Sequence, residues 1–185
     1  MPNLVFLLGN YQNADVVEKV VNYIIKSPYY EQGGYAGCFI DSTKSISEEI
    51  SNSFNACKNV HFKNDGKQLQ HIVIGFGDLD GISETDACTV ANAAAMHFFQ
   101  NGHQVFWGMH FSSDSQYRYR HIHMVVNTIN MATGLRYSES HDNMLEMKNY
   151  MKRIFPSLEW RYESKDSCYI DWNNDVKISD NKDIL

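Results

Sequence analysis

Apolar residues recurring at helical spacing predict four helices in this chain of 185 residues. The predicted helices cover residues 15–26, 45–57, 83–101 and 142–154. The second begins with a Ser-x-x-Glu capping signature at Ser45, and the third begins at Ser83. Pro28 and Pro156 end the first and last helices, and Gly102 ends the third. The alanine-rich face of the third helix would let it lie close against a sheet.

Shorter apolar runs predict the strands of that sheet. They cover residues 3–8, 70–77, 105–111, 121–129 and 158–162. Residues 3–8 are expected at an edge of the sheet, whereas residues 33–41 indicate a loop that leads into a further short strand. The polar residues 112–120 separate the third run from the fourth. These two runs therefore predict adjacent antiparallel strands joined by a hairpin loop.

Three histidines lie in this predicted hairpin. Successive side chains of a strand point to opposite faces, so His121 and His123 share one face while Ile122 and Met124 share the other. His110 ends the preceding strand and is expected to meet the pair across the ladder. A His-x-His pair alone is typical of solvent-facing residues, but the third histidine and the strand context favour a metal site. Neutral imidazoles that converge on one point suit a divalent cation with positions left open for a substrate.

The hairpin resembles the metal-binding motif of the HUH endonucleases, in which two histidines flank a hydrophobic residue, here residues 121–123. More narrowly, it is similar to the mobilisation-type relaxases of conjugative plasmids and integrative elements. Their pattern has a histidine ending one strand, then the His-x-His pair, an asparagine four residues on, and a Gly-basic-aromatic turn. His110, Asn127 and residues 134–137 match these positions. The resemblance covers roughly residues 15–160.

The resemblance implies a fold, a reaction and partners. The fold is an α/β (α+β) arrangement with a central antiparallel sheet of about five strands and packed helices, which is the ferredoxin-like arrangement of these nucleases. The reaction is site- and strand-specific nicking and transfer of DNA at a transfer origin, through a 5′-phosphotyrosyl intermediate. The partners would be single-stranded DNA, accessory relaxosome proteins and a coupling protein.

The attacking group in mobilisation-type relaxases is a tyrosine of an N-terminal helix, followed by isoleucine and close to a basic residue. Tyr23, in the Tyr-Ile-Ile-Lys segment at residues 23–26, matches this context best. Tyr29 and Tyr30, in the segment after the helix, are the alternatives. A phenol has a reference pKa of ~10, so it needs a nearby cation or general base to become a nucleophile.

The metal would be held by His110, His121 and His123. Three nitrogen ligands favour Mn²⁺ or Zn²⁺ over Mg²⁺, whereas the resemblance implies Mg²⁺ or Mn²⁺. The family usually has an acid two residues after the first histidine, where this chain has Ser112. Asp114 is therefore the candidate acceptor that orients one of the histidines.

Contacts to DNA are expected around the hairpin and on the neighbouring strand. The candidates are His71, Arg118, Arg120, Asn127 and Arg136. His71 also fits an ordinary strand histidine, and Asn127 also fits a residue that closes a turn at the end of a strand. Tyr117, Tyr119 or Trp107 would stack on bases.

Composition and length set further expectations. Residues 1–165 are expected to form one relaxase-like domain, followed by a polar, acidic and partly disordered tail at residues 166–185. Four widely spaced cysteines argue against a zinc knuckle and for reduced thiols in a cytosol. No apolar run is long enough to cross a bilayer and no signal peptide is evident, so a cytoplasmic protein without membrane insertion is expected.

Two other classes of protein compete with the relaxase. Another HUH enzyme, such as a rolling-circle replication initiator or a single-tyrosine transposase, usually has its tyrosine on a helix after the His-x-His strand. Tyr137 and Tyr150 are the candidates for that order. A non-catalytic nucleic-acid-binding module with the same fold would suit the net charge of −6, because tight binding of phosphates ordinarily needs a basic surface.

Overall fold

The structure is a computed structural model that describes residues 2–7, 9, 11–76, 82–112, 119–138 and 140–165. The predicted tail at residues 166–185 lies outside the described residues, as do Asp114, Tyr117 and Arg118.

The described residues form four helices and six strands. In chain order these are β1 (Asn3–Leu7), α1 (Val16–Ile25), β2 (Tyr30–Ala36), α2 (Ile46–Val60), β3 (Leu69–Gly75), α3 (Glu84–Gln100), β4 (Val105–Ser112), β5 (Tyr119–Asn127), α4 (His141–Ile154) and β6 (Arg161–Lys165). All four predicted helices and the hairpin strands are present. Across the described ranges, no helix combines the length and the apolar character needed to cross a membrane.

Serine side chains begin three of the helices. The Oγ atoms of Ser45, Ser83 and Ser140 each accept a hydrogen bond from the backbone N–H three residues later. Each bond satisfies one of the donors that the start of a helix leaves without an intrahelical acceptor. Gly102 follows α3 with a φ of 84°, a left-handed conformation that favours glycine. The predictions that Ser45 and Ser83 begin α2 and α3, and that Gly102 ends α3, are therefore confirmed.

The six strands form one sheet in the order β2-β4-β5-β3-β1-β6. The five strands from β2 to β1 pair antiparallel, and β6 pairs parallel to β1. The predicted antiparallel sheet with packed helices is confirmed, with one parallel strand added. The prediction that β1 is an edge strand is wrong, because β6 pairs with the side of β1 that faces away from β3.

Strand β2 occupies part of the region predicted as a loop. Gly33 and Gly34 suggested that loop, yet both lie in a strand that pairs with β4. A Cβ at Gly33 would lie 2.5 Å from the carbonyl oxygen of Trp107, so no side chain fits there. Glycine within a strand commonly marks such a close approach of another backbone. These glycines therefore reflect tight strand packing rather than a turn.

Helices cover both faces of the sheet. Helices α3 and α4 share one hydrophobic cluster with Met124 of β5, and α1 and α2 share a second with Val125. Because side chains alternate along a strand, His121 and His123 lie on the Val125 face, beneath α1. The prediction that the two histidines lie on the opposite face of the strand from Met124 is confirmed.

Gly108 of β4 determines how closely α1 approaches the sheet. A Cβ built at Gly108 would lie 2.3 Å from Cγ2 of Ile24, well inside van der Waals contact. Any side chain at this position would push the last turn of α1 away from β4. Tyr23 precedes Ile24, and His110 lies two residues after Gly108. The absence of a side chain at Gly108 therefore allows the tyrosine and the histidine to lie close together.

Gly108→Ala is expected to lower the free energy of unfolding by about 1–3 kcal/mol, the usual cost of overpacking. Chemical denaturation followed by circular dichroism measures the loss. Ile24→Ala removes the atom that the new methyl group would meet. The double variant should therefore lose less stability than the two single losses together. Strictly additive losses would show that the two positions do not contact each other.

Candidate active site

Three histidines meet where β4 and β5 pair. His110 and His121 are directly opposite in the ladder, and His123 follows two residues along β5 on the same face. Each offers one ring nitrogen, and these nitrogens lie within 4.8 Å of one another. His110 and His123 are buried and His121 is partly buried. In the part of the chain that the structure describes, no other group of histidine, cysteine and acidic residues could hold a metal ion.

The end of helix α1 fixes the ring of His110. Nε2 of His110 lies 2.8 Å from the carbonyl oxygen of Ile24. A carbonyl oxygen only accepts, so Nε2 of the neutral ring carries the hydrogen and Nδ1 carries the lone pair. The last carbonyl oxygens of a helix have no intrahelical donor, so the same bond also satisfies the helix end. His110 is thereby held in the tautomer that leaves Nδ1 as its ligand atom.

His71 of β3 fixes the ring of His123. Nε2 of His71 lies 3.0 Å from Nδ1 of His123, and Nδ1 of His71 lies 3.4 Å from the hydroxyl of Tyr11. Nε2 of His123 is buried and has no hydrogen-bond partner among the described residues. A hydrogen on Nδ1 of His123 satisfies the contact with His71 and leaves the lone pair on Nε2. A histidine binds a metal ion through the nitrogen that carries a lone pair, so Nε2 would be the ligand atom of His123.

Burial keeps these imidazoles neutral. Burial, followed by repulsion from His110, lowers the pKa of His71 and that of His121 to about 3. Burial and the charges of His121, His71 and His110 hold the pKa of His123 well below its ordinary value. The neutral form is the one whose nitrogen can bind a cation.

The chemistry of these residues fits a divalent metal ion. Nδ1 of His121, like Nε2 of His123, is buried without a hydrogen-bond partner among the described residues. Leaving such a group unsatisfied costs about 1–3 kcal/mol, and a cation would satisfy both nitrogens. The C-terminal end of α1 carries a partial negative charge and faces the same place, which further favours a cation.

Tyr23 lies beside the histidine cluster. The centroid of its ring is 5.9 Å from that of His123 and 6.5 Å from that of His110. Tyr30 of the edge strand β2 is the other nearby candidate, with its ring centroid 6.4 Å from that of His110. Burial raises the pKa of Tyr30, which makes its phenolate harder to form. Tyr23 contacts two of the three candidate ligands, whereas Tyr30 contacts one.

Two residues predicted to contact DNA are buried. His71 and Asn127 are both 0% exposed. His71 contacts His123, and Asn127 donates hydrogen bonds to Oε1 of Gln104 and to the carbonyl oxygen of Phe54. Neither side chain reaches the surface, so their burial argues against the predicted contacts. Asn127 instead fits the alternative of a residue that fixes the end of a strand.

The two described arginines that were candidates for DNA contact, Arg120 and Arg136, are engaged by other groups. Arg120 pairs with Glu31 at 3.1 Å and donates to the carbonyl oxygen of Ile82. Arg136 follows the far end of β5, where it donates to the carbonyl oxygen of Asp65. Since strands rise about 3.3 Å per residue, this is roughly 20 Å from the histidines. The structure therefore does not bring Arg136 to the histidine cluster.

The aromatic residues predicted to stack on bases differ in position. Trp107 is only 4% exposed and belongs to the cluster beneath α3, so the prediction of base stacking by Trp107 is wrong. The ring centroid of Tyr119 is 5.9 Å from that of His121, and this side chain is partly exposed. Tyr119 therefore remains a candidate for stacking next to the site.

A family model described as the nuclease domain of the MobA/VirD2-like relaxases matches residues 23–159. The chain belongs to this family. A solved structure from work on the molecular basis of vancomycin resistance transfer in Staphylococcus aureus is 8% identical to this relaxase domain, with a TM-score of 0.52. The likeness covers 91% of this chain and 98% of that one, and at this identity it shows a shared fold. No curated protein matches the sequence.

The histidine cluster predicts metal binding that depends on each ring. His121→Ala or His123→Ala is expected to abolish binding of Mn²⁺, measured by calorimetry, while the far-ultraviolet dichroism stays close to that of the wild type. His110→Ala should behave in the same way. His97→Ala removes a buried histidine of α3 that lies on the other face of the sheet, so it should leave the affinity unchanged. Undiminished binding in the double variant of His121 and His123 would exclude this metal site.

Proposed function

We propose that this relaxase domain nicks one strand of DNA at a specific site in the transfer origin of a plasmid or integrative element, and then transfers that strand. The position of Tyr23 beside the three histidines carries the proposal. Membership in a relaxase nuclease family supplies the class of reaction. In this proposal the substrate is single-stranded DNA, presented by accessory relaxosome proteins and passed on to a coupling protein.

The proposed reaction exchanges one phosphate ester for another. The phenolic oxygen of Tyr23 attacks the scissile phosphorus, a 5′-phosphotyrosyl bond forms, and the 3′ oxygen of the preceding nucleotide leaves as a hydroxyl. The reaction therefore needs a positioned nucleophile and neutralised charge on the non-bridging oxygens. Because the number of phosphate esters is conserved, a 3′ hydroxyl can later attack the tyrosyl bond and reseal the strand.

His110, His121 and His123 would hold a divalent cation. When bound, it would polarise the phosphate and neutralise charge on its oxygens. Mn²⁺ and Mg²⁺ are the main candidates, and the nitrogen-rich ligand set favours Mn²⁺ or Zn²⁺ over Mg²⁺. The carbonyl oxygen of Ile24 and the ring of His71 act as positioning groups, because each contacts the nitrogen of its partner histidine that does not bind the cation.

The tyrosine order of rolling-circle initiators and transposases is less well supported. Its candidates, Tyr137 and Tyr150, contact rings of the cluster around α3, with centroids 5.8 Å from Phe98 and 4.8 Å from His97. That cluster lies on the face of the sheet away from the three histidines. A nucleophile there would be separated from the proposed metal by the sheet itself.

Tyr23→Phe is expected to abolish nicking of a strand that spans the element's own transfer origin, because only the attacking oxygen is lost. Binding of Mn²⁺ and the thermal unfolding midpoint should stay unchanged. The measurement is to incubate the protein with Mn²⁺ and labelled single-stranded DNA, and then to digest the covalent adduct and identify the modified peptide.

The matched controls are Tyr29→Phe and Tyr30→Phe, which should each keep activity within about tenfold, a barrier change of ~1.4 kcal/mol. A label on Tyr30 would keep the relaxase function and move the nucleophile to β2. Absence of any adduct with confirmed cognate DNA would favour a non-catalytic binding module.

His71→Leu is expected to weaken binding of Mn²⁺ about 10- to 100-fold, because the hydrogen on Nδ1 of His123 loses its acceptor. His71→Gln supplies another acceptor and should recover part of the affinity. Calorimetry gives the affinity, and ¹⁵N resonances of the imidazole rings give the tautomer of His123. If His71→Leu left both the affinity and the tautomer unchanged, His71 would have only a packing role.

A further inference from the structure

We propose that the surface formed by Val60, Phe62, Lys63, Leu135 and Arg136 binds single-stranded DNA at a distance from the histidine cluster. We refer to these five residues as the Phe62 surface. The inference rests on the proposed function, since it assigns a further part of the same substrate strand to a second contact.

The Phe62 surface exposes three apolar side chains. Phe62 is 90% exposed, Val60 72% and Leu135 70%. The turn that carries Leu135 packs on the end of α2, because a Cβ at Gly134 would lie 2.7 Å from Nδ1 of His61. The three side chains therefore belong to one region. A phenylalanine ring left almost entirely in water contributes little to folding.

The backbone of Phe62 is strained as well. Its φ is 55°, and its N–H donates to the carbonyl oxygen of Asn59 while the N–H of Lys63 donates to that of Lys58. This pair of bonds is the Schellman motif that ends many helices, and glycine usually occupies the left-handed position. A side chain at such a φ is unfavourable. Phe62 thus combines an exposed ring with a strained backbone, and such outliers cluster at functional positions.

The charges around Phe62 are mostly positive. Residues 58–67 and 131–136 contain Lys58, Lys63, Lys67 and Arg136 against one acid, Asp65, in a chain whose net charge is −6. Lys63 is exposed and has no ion pair among the described residues. Nζ of Lys58 is buried without a hydrogen-bond partner there, and burial, followed by repulsion from Arg136, lowers the pKa of Lys58 to about 8. Asp65 lies 3.9 Å from Arg136 and balances that charge, which leaves Lys63 as an exposed positive charge.

A single strand of DNA satisfies both features. Its phosphates complement the exposed charge of Lys63, and an unpaired base can stack on an exposed aromatic ring. A duplex offers the phosphates but keeps its bases stacked inside, so the ring of Phe62 would stay in water. A hydrogen bond from Thr128 to the carbonyl oxygen of Lys67 places this region beyond the end of β5, roughly 20 Å from the histidines. A strand held at the active site would reach it after several nucleotides.

The test uses a fluorescent oligothymidine of about 16 nucleotides, the upper end of the site sizes of single-strand-binding domains, in EDTA and low salt. Phe62→Gly is expected to weaken binding about tenfold and to raise the thermal unfolding midpoint, because glycine relieves the left-handed backbone. A residue retained only for the fold would give the opposite change in stability. Lys63→Gln should weaken binding and reduce the salt dependence by about one phosphate contact.

Three further variants separate stacking from other roles. Phe62→Trp should bind as the wild type or better, and Phe62→Leu, which keeps apolar area without a ring, should bind as weakly as Phe62→Gly. Phe39→Ala removes another exposed ring, 85% exposed and close in sequence to Asp41, and should change nothing. Wild-type affinity in Phe62→Gly would overturn the proposal. Wild-type affinity in Phe62→Leu would also overturn it, because the contact would then need no aromatic ring.

Failure of this inference is distinguishable from failure of the proposed function. Binding of oligothymidine in EDTA requires neither nicking nor metal. If the wild type binds through Phe62 but nicks no origin strand, the nicking activity is wrong and the surface stands. If the origin strand is nicked and Phe62→Gly leaves both binding and the KM for that strand unchanged, the surface is wrong and the nicking activity stands.

Discussion

One hydrogen bond, from Nε2 of His110 to the carbonyl oxygen of Ile24, connects the end of helix α1 to strand β4. It satisfies a helix carbonyl that has no donor of its own and sets the tautomer of a candidate metal ligand. It forms because Gly108 has no side chain to hold the helix away. Tyr23, one residue before Ile24, is thereby placed against the same cluster. The position of the tyrosine and the tautomer of the histidine are thus linked through one contact.

The site is unfavourable for the fold unless a cation occupies it. His71, His110 and His123 are at most 1% exposed, and two ring nitrogens, on His121 and His123, have no hydrogen-bond partner among the described residues. Burial, followed by repulsion from the neighbouring histidines, depresses the pKa of His123, because protonation would place like charges side by side. Such local conflicts with folding are expected where a protein keeps residues for chemistry rather than for stability. The hydrogen bonds that His110 donates to Ile24 and His123 donates to His71 limit the cost by holding the rings in defined tautomers.

The hairpin and its histidines were predictable because strand alternation and a polar loop are local properties of the sequence. Contacts between strands distant in sequence were not. His71 reaches His123 because β3 pairs with β5 in one register, and a shift by one residue would turn His71 to the other face. For the same reason the sequence predicts β1 at an edge, since nothing local indicates that β6 returns to pair with it.

Contacts with DNA are even harder to predict from the type of a residue alone. Asn127 and Arg136 match a motif, yet their hydrogen bonds stabilise the end of the sheet that lies away from the histidines. Phe62 has no sequence signal except an apolar residue where a helix normally ends in glycine. A polar or aromatic side chain can serve either the fold or a ligand, and only its neighbours in space distinguish the two.

The pairing of β1 with β6 imposes an order on folding. Strand β1 can pair with β3 once Gly75 has been synthesised, but the other edge of β1 stays open until residues 161–165 follow. At roughly 5–20 residues per second, the nascent chain carries this exposed edge for on the order of ten seconds. The edge has the sequence Asn-Leu-Val-Phe-Leu, and such an apolar strand is a template for pairing with another chain. Chaperone binding or slow aggregation during synthesis should therefore begin at β1, at the far side of the sheet from β2.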